Sequence, residues 1–211
     1  FSEMQRLFQQ KLLKEAPSYR ERIRIAREEL GEEGEESPSQ LLGQFSAANA
    51  NALDQLKDNT PAEDLEKAVD ILAAAEATHI VGVRRAYVVA SYFSYALCHI
   101  DRRTFMMDGV GGMYKEQAGS IGSRDALIAV SFHPYAQETQ DVAIAAAEKG
   151  IPLIVITDSQ LSPLASIASV CFTVKEAEVH SFRSLTSSLC LAQSLSIGLA
   201  YRLDKQKALT A

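Results

Sequence analysis

Apolar residues fall into two textures along this chain. Up to about residue 75 they recur every three to four positions, the period of an amphipathic helix. Beyond that point, short continuous apolar runs alternate with longer helical patterns. Phe1, Met4, Leu7, Phe8 and Leu12 predict helix within residues 1–30, broken at Pro17, which suits the first turn of a new helix. The run from Gly31 to Pro38 is acidic and contains two glycines, so it reads as a solvated linker. Leu41, Leu42, Phe45, Ala48, Leu53 and Leu56 predict a helix over residues 39–58. Thr60, Pro61 and Glu63 then predict another helix start, with a Thr cap, Pro at the first position and a capping-box Glu. That helix is expected to reach about Ala75.

The second texture predicts strands at Thr78–Gly82, Thr104–Met107, Ala126–Ser131, Ile151–Thr157 and Ser169–Thr173. Between and after them lie helical patterns at Tyr87–Ile100, Gln137–Lys149, Leu164–Ile167 and Ser184–Leu203, with Gly150 as a C-cap. The strands are apolar throughout instead of alternating. Strands of that kind are buried on both faces, in a parallel sheet covered by helices. The expected fold is therefore α/β: a three-layer, doubly wound sandwich with a five-stranded parallel sheet, preceded by N-terminal helices. Ligands in such folds bind at the carboxyl ends of the strands, near a switch in strand order.

Composition narrows the function classes. The net charge of −6 argues against a chain that as a whole grips nucleic acid. Apolar runs such as Ala126–Val130 are strand-sized and none reaches the length of a membrane span, so no span and a cytoplasmic location are expected. The N-terminus lacks the basic-then-apolar pattern of a leader, and Phe1 in place of Met suggests that the sequence begins inside a longer protein. Cys98, Cys171 and Cys190 are far apart in apolar contexts, which predicts reduced core thiols and neither a metal site nor disulfides.

Candidate chemistry therefore sits just after each strand. Gly82 allows a close turn, and Arg84 and Arg85 follow at a helix N-terminus. There, free N–H groups and bidentate guanidinium donors both favour a phosphate or carboxylate. After the third strand come Ser131, a hydroxyl donor, and His133, which titrates near neutrality. Glu138 opens the next helix, where capping is its ordinary role. Thr157 ends the fourth strand, and Ser162 before Pro163 resembles a cap. Glu176, Glu178, His180, Ser181 and Arg183 follow the last strand and are placed to close a pocket. Surface charge or ion pairing is the competing role for each of these groups. No metal site and no cofactor are expected.

The strand end Ile80-Val81-Gly82, the strand Asp125–Ser131, the stretch Ala145–Pro152 and Ile156-Thr157-Asp158 with Ser162–Ala165 resemble the SIS (sugar isomerase) domain. In particular they resemble the C-terminal half of RpiR/MurR-family transcriptional regulators, over about Leu53 to Leu203. Phe1–Leu7 resembles the end of that family's helix-turn-helix domain. The resemblance implies residues 1–37 as the end of the DNA-binding head with a linker, and 38–211 as an effector-binding domain. It implies a non-enzymatic sensor of a small anionic sugar derivative. Such a sensor would work as a homodimer or homotetramer and bind operator DNA through residues mostly upstream of this sequence. A sugar-phosphate aldose–ketose isomerase is the alternative; its base would come from Glu138, His133 or His180. Two family motifs are altered. Gly-x-Gly-x-Ser has Arg84 and Ala86 at its last two defined positions. Ser-x-Ser-Gly-x-Thr keeps Ser131 but has His133, Pro134 and Ala136 thereafter.

Overall fold

The computed structural model describes residues 36–210, together with Arg20 and Ile23, both helical. Apart from those two residues, the helix expected over residues 1–30, the Gly31–Glu35 part of the linker and the helix-turn-helix remnant lie outside the described residues.

Two helices, α1 (Pro38–Asn59) and α2 (Ala62–Ala74), precede the sheet. There follow β1 (Thr78–Gly82), α3 (Ala86–Cys98), β2 (Thr104–Met107), α4 (Tyr114–Gly119), β3 (Ala126–Ser131), α5 (Gln137–Glu148), β4 (Leu153–Thr157) and β5 (Val170–Thr173). A small hairpin, β6 (Glu178–Val179) with β7 (Phe182–Arg183), leads into the last helix, α6 (Thr186–Thr210).

The sheet has five strands in the order β2-β1-β3-β4-β5, all parallel. This is the doubly wound α/β sandwich that the apolar strands predict. Every residue of β1, β3 and β4 is buried. Alternate side chains serve opposite faces. Ile80, Ile128, Ile154 and Phe172 pack against Leu72 of α2, Phe93 of α3 and Leu195 of α6. Val81, Leu127, Ala129 and Val155 pack against Ala118 of α4 and Val142 and Ala146 of α5. Each fully buried Leu, Ile or Val contributes about 1.5–3 kcal/mol. The edge strands differ, since β2 and β5 are each partly exposed.

Several local expectations need correction. Thr60 does not cap α2; its hydroxyl donates to the Leu56 carbonyl at 2.6 Å and finishes α1. Only Thr60 and Pro61 separate the two helices, so the hydroxyl is taken by the helix before it, and α2 starts without a side-chain cap. The true capping box stands at α1: Gln40 N donates to Ser37 Oγ at 3.2 Å, and Ser37 N donates to Gln40 Oε1 at 2.8 Å. The cysteines are not core thiols. Cys98 and Cys190 lie on outer helix faces and are exposed, and Cys171 is half-buried on the edge strand β5; none is paired. Gly150 does end α5 in the left-handed conformation, with φ of 71°.

Candidate ligand-binding site

β1 and β3 are neighbours, and their crossovers run to opposite sides of the strand pair, so a crevice opens at their carboxyl ends. Gly82 sets its near wall. A Cβ there would lie 2.9 Å from the Ala86 carbonyl oxygen and 3.0 Å from Ala90 Cβ, so only glycine lets α3 pack this closely on β1. Arg84 adopts φ of 57°, the left-handed region that glycine prefers, and is exposed. Arg85 is the N-cap of α3.

The α3 amides are less available than expected. Ala86 N, Tyr87 N and Val88 N donate to the carbonyls of Val83, Arg84 and Arg85, at 3.2, 3.1 and 3.4 Å. The charged donors lining this end are the Arg84 and Arg85 guanidinium groups, while the first α3 amides are engaged within the turn. Arg85 Nη2 donates to the Ser184 carbonyl at 2.6 Å, and its guanidinium sits 5.4 Å from the Phe132 ring centroid.

The far wall comes from β3 and the start of α5. Ser131 Oγ, His133 Nε2 and Thr139 Oγ1 are buried, and none has a hydrogen-bond partner among the described residues. Orphaned polar atoms at this density are uncommon, because each costs about 1–3 kcal/mol unless something satisfies it. Burial pushes the His133 imidazole below its usual range; Asp158 opposes that shift and Arg183 adds to it. At neutral pH the ring is uncharged, with one nitrogen free to accept. Asp158 braces the loop, since its Oδ2 accepts from His133 N at 3.0 Å and from Arg183 Nη1 at 3.1 Å.

Together these walls enclose a cavity of about 520 Å³. Of the residues singled out from sequence, Arg84, Arg85, Ser131, His133 and Arg183 line it, and Gly82 shapes its rim. Glu138, Thr157 and His180 do not line it. Glu138 lies half-buried in the first turn of α5 and makes no side-chain cap there; Ala136 is the N-cap. Thr157 is fully buried beneath the strand ends, in register with Ser131. His180 sits at the tip of the β6–β7 hairpin, with Nε2 2.9 Å from Glu36 Oε2. Glu176 turns away as well; its carboxylate accepts from Ser187 N and Ser188 N at 3.0 and 2.8 Å and caps α6.

Sequence reasoning missed Phe45 of α1, Thr139, and Phe182 as walls of the cavity. Phe45 carries the helical period of a core residue, and nothing in the sequence distinguishes it.

A doubly wound parallel sheet with an arginine-bearing crevice at the β1/β3 switch point defines the class of domain. The chain belongs to the SIS domain family, whose model matches residues 71–198, more than half of the chain. It is 28% identical over 158 residues to the "Bifunctional protein glk" of Paraburkholderia xenovorans, a match covering 72% of this chain and 24% of that protein. It is 24% identical over 165 residues to the HTH-type transcriptional regulator YbbH of Bacillus subtilis, covering 78% of this chain and 58% of that one. The chain thus spans a quarter to somewhat over half of these relatives. Among solved structures, the sugar isomerase domain of an RpiR transcription factor from Sphaerobacter thermophilus superposes with a TM-score of 0.75 at 26% identity, covering 79% of this chain and 93% of that one. Two further structures share the fold. The NanR protein of Vibrio vulnificus, complexed with ManNAc-6P, gives a TM-score of 0.70 at 20% identity, covering 80% of this chain and 65% of that one. Phosphoheptose isomerase GmhA of Neisseria gonorrhoeae gives 0.65 at 13% identity, covering 80% and 100%. Among the described residues no helix is long and apolar enough to cross a membrane, and no cluster of three potential metal-ligating side chains occurs.

Proposed function

We propose that this chain is the effector-sensing part of a transcriptional regulator, and that its cavity takes a small phosphorylated or acidic sugar derivative without turning it over. One observation carries the proposal. Arginine side chains and three orphaned polar atoms, Ser131 Oγ, His133 Nε2 and Thr139 Oγ1, meet in one crevice at the strand switch point. Arg84 and Arg85 hold the anion; Ser131, His133 and Thr139 bond its remaining oxygens. The RpiR domain and YbbH among its relatives support the regulatory context, and the phosphosugar held by NanR supports the ligand class. In this reading residues 38–211 form the effector domain and residues 1–37 lead from a DNA-binding head. The whole protein works in the cytoplasm as a homodimer or homotetramer, and its upstream residues bind operator DNA. Glu138 and Thr157 stand behind the site, and His180 stands at the tip of the β6–β7 hairpin, away from the ligand.

Thermal shift with ManNAc-6P, hexose 6-phosphates, arabinose 5-phosphate and aldonic acids tests this. At least one should raise the melting temperature saturably, and Arg84→Ala should weaken that ligand roughly tenfold or more, the scale of losing a charge-assisted contact. A panel in which none of these anions stabilises the wild-type chain would sink the sensing reading.

A second reading, aldose–ketose isomerisation, is favoured by one observation: a neutral His133 with a free ring nitrogen in the cavity is a competent base. Glu138 and His180, the other candidate bases, lie outside it, and among the described residues no carboxylate lines it. Turnover of arabinose 5-phosphate, abolished in His133→Gln, would establish this reading in place of the first.

A further inference from the structure

The β6–β7 hairpin joins the site at several points. Phe182 and Arg183 form part of the cavity wall, facing Phe45 of α1. Arg183 Nη2 donates to the His133 carbonyl at 2.8 Å, and Nη1 pairs with Asp158 at 3.1 Å. The next residue, Ser184, supplies the carbonyl that holds Arg85 at 2.6 Å. One stretch of chain therefore grips the tips of β1, β3 and β4 together. Ser184 N donates to the Ala177 carbonyl at 2.8 Å and closes the base of the hairpin.

The other end of the hairpin points at the N-terminal side of the domain. Its turn residues, His180 and Ser181, both take positive φ, 47° and 63°. Two such residues fit the tight turn that matches strand twist, at a backbone cost that neither residue relieves as glycine would. His180 Nε2 meets Glu36 Oε2 at 2.9 Å, in a contact where the two side chains are 22% and 18% exposed. Gln44 holds the other oxygen of Glu36. Glu36 immediately precedes Ser37, the residue whose capping box starts α1.

We infer that this hairpin is the output strap of the site: it carries the state of the cavity to the start of α1, where the N-terminal residues join the domain. The inference rests on the sensor reading above and says how that site signals. An anion that draws Arg85 and the His133 loop inward competes with the Ser184 carbonyl and shifts the Arg183 anchor. The hairpin spans only Glu178 to Arg183 and is closed at both ends, so a shift at its base moves its tip. Movement of the tip loosens or tightens the hold on Glu36. A ligand changes that balance only by as much as it prefers one arrangement of the strap.

Hydrogen exchange on the full chain, read at the amides of Gln40 and Leu41, tests this. Both amides are protected by Ser37 in the resting fold. His180→Ala should speed their exchange about three- to fivefold with the melting temperature nearly unchanged, and His180→Gln, which keeps a donor, should recover part of the protection. ManNAc-6P should alter exchange at these amides in the wild type and not in His180→Ala, while its affinity differs less than twofold between them. Equal exchange in the ligand-free wild type and His180→Ala would overturn the inference. So would a ligand effect on α1 that survives in His180→Ala. Should none of the sugar anions bind the wild type, the sensor reading fails, and the ligand-free comparison still decides whether the hairpin controls the start of α1.

Discussion

Arg84 shows how a single residue can be kept against its own backbone preference. The left-handed conformation costs a non-glycine residue about 1–2 kcal/mol, and φ at Arg84 is 57°. Glycine there would remove the strain and also enlarge the freedom of the unfolded chain, and the two effects are similar in size. Arg84→Gly should therefore leave the melting temperature within about 2–4 °C of wild type, the response of a domain this size to 1 kcal/mol. The same substitution should cost anion affinity at least tenfold, by thermal shift or calorimetry. The altered motif was visible in the sequence as an arginine in a glycine position. That the glycine backbone persists beneath the arginine was not, because φ leaves no mark on residue identity. His133 carries a second prediction. Its folded pKa lies below the unfolded value of about 6.5, so the unfolded chain takes up the proton first. Stability is full above 6.5 and falls as pH drops through that value toward the lowered one. In His133→Gln, denaturant midpoints at pH 7.5 and 5 should differ less than in the wild type.

At the scale of elements, each strand of the sheet was legible within about two residues, and for the three central strands the reason is that burial on both faces writes itself as an unbroken apolar run. Glu178–Arg183 was not legible as a hairpin: two-residue strands carry no alternation, and neither His180 nor Ser181 is a usual turn residue for positive φ. The short helix α4 was missed for a related reason, since Tyr114–Gly119 is too brief to show a period. Thr60 was misread because side-chain capping depends on which helix end is nearer, and that is a three-dimensional fact. Gly82 tests the packing of β1 on α3. A methyl group there meets the Ala86 carbonyl at 2.9 Å, and backbone cannot yield as a flexible side chain does. Gly82→Ala should lower stability by about 1–3 kcal/mol in urea titration, the range for overpacking.

Across the whole molecule, each face of the sheet has its own core, and the outer surfaces of the helices are less uniformly polar than a solitary domain requires. Tyr95 on α3 and Ile197 and Tyr201 on α6 are 61%, 48% and 75% exposed. These helices pack side by side over the same face, and the apolar character of the last helix was legible in the sequence, although its exposed side was not. The proposed assembly places this surface between copies. Light scattering should give a dimer or tetramer for the chain, and Ile197→Asp combined with Tyr201→Asp should shift it to a monomer without loss of helical signal. A wild-type monomer at 50–100 μM, the upper end of about micromolar self-association, would remove this part of the proposal.

Sealed strands beneath open tips have an evolutionary consequence. Because Ile80, Val81, Leu127, Ile128, Ala129 and the apolar residues of β4 are locked into the two cores, the short loops above them can be rewritten without renegotiating the scaffold. Randomising residues 83–85 and 132–134 together should yield mostly well-folded variants with redirected ligand choice, which makes this crevice a natural starting point for building sensors toward new acids.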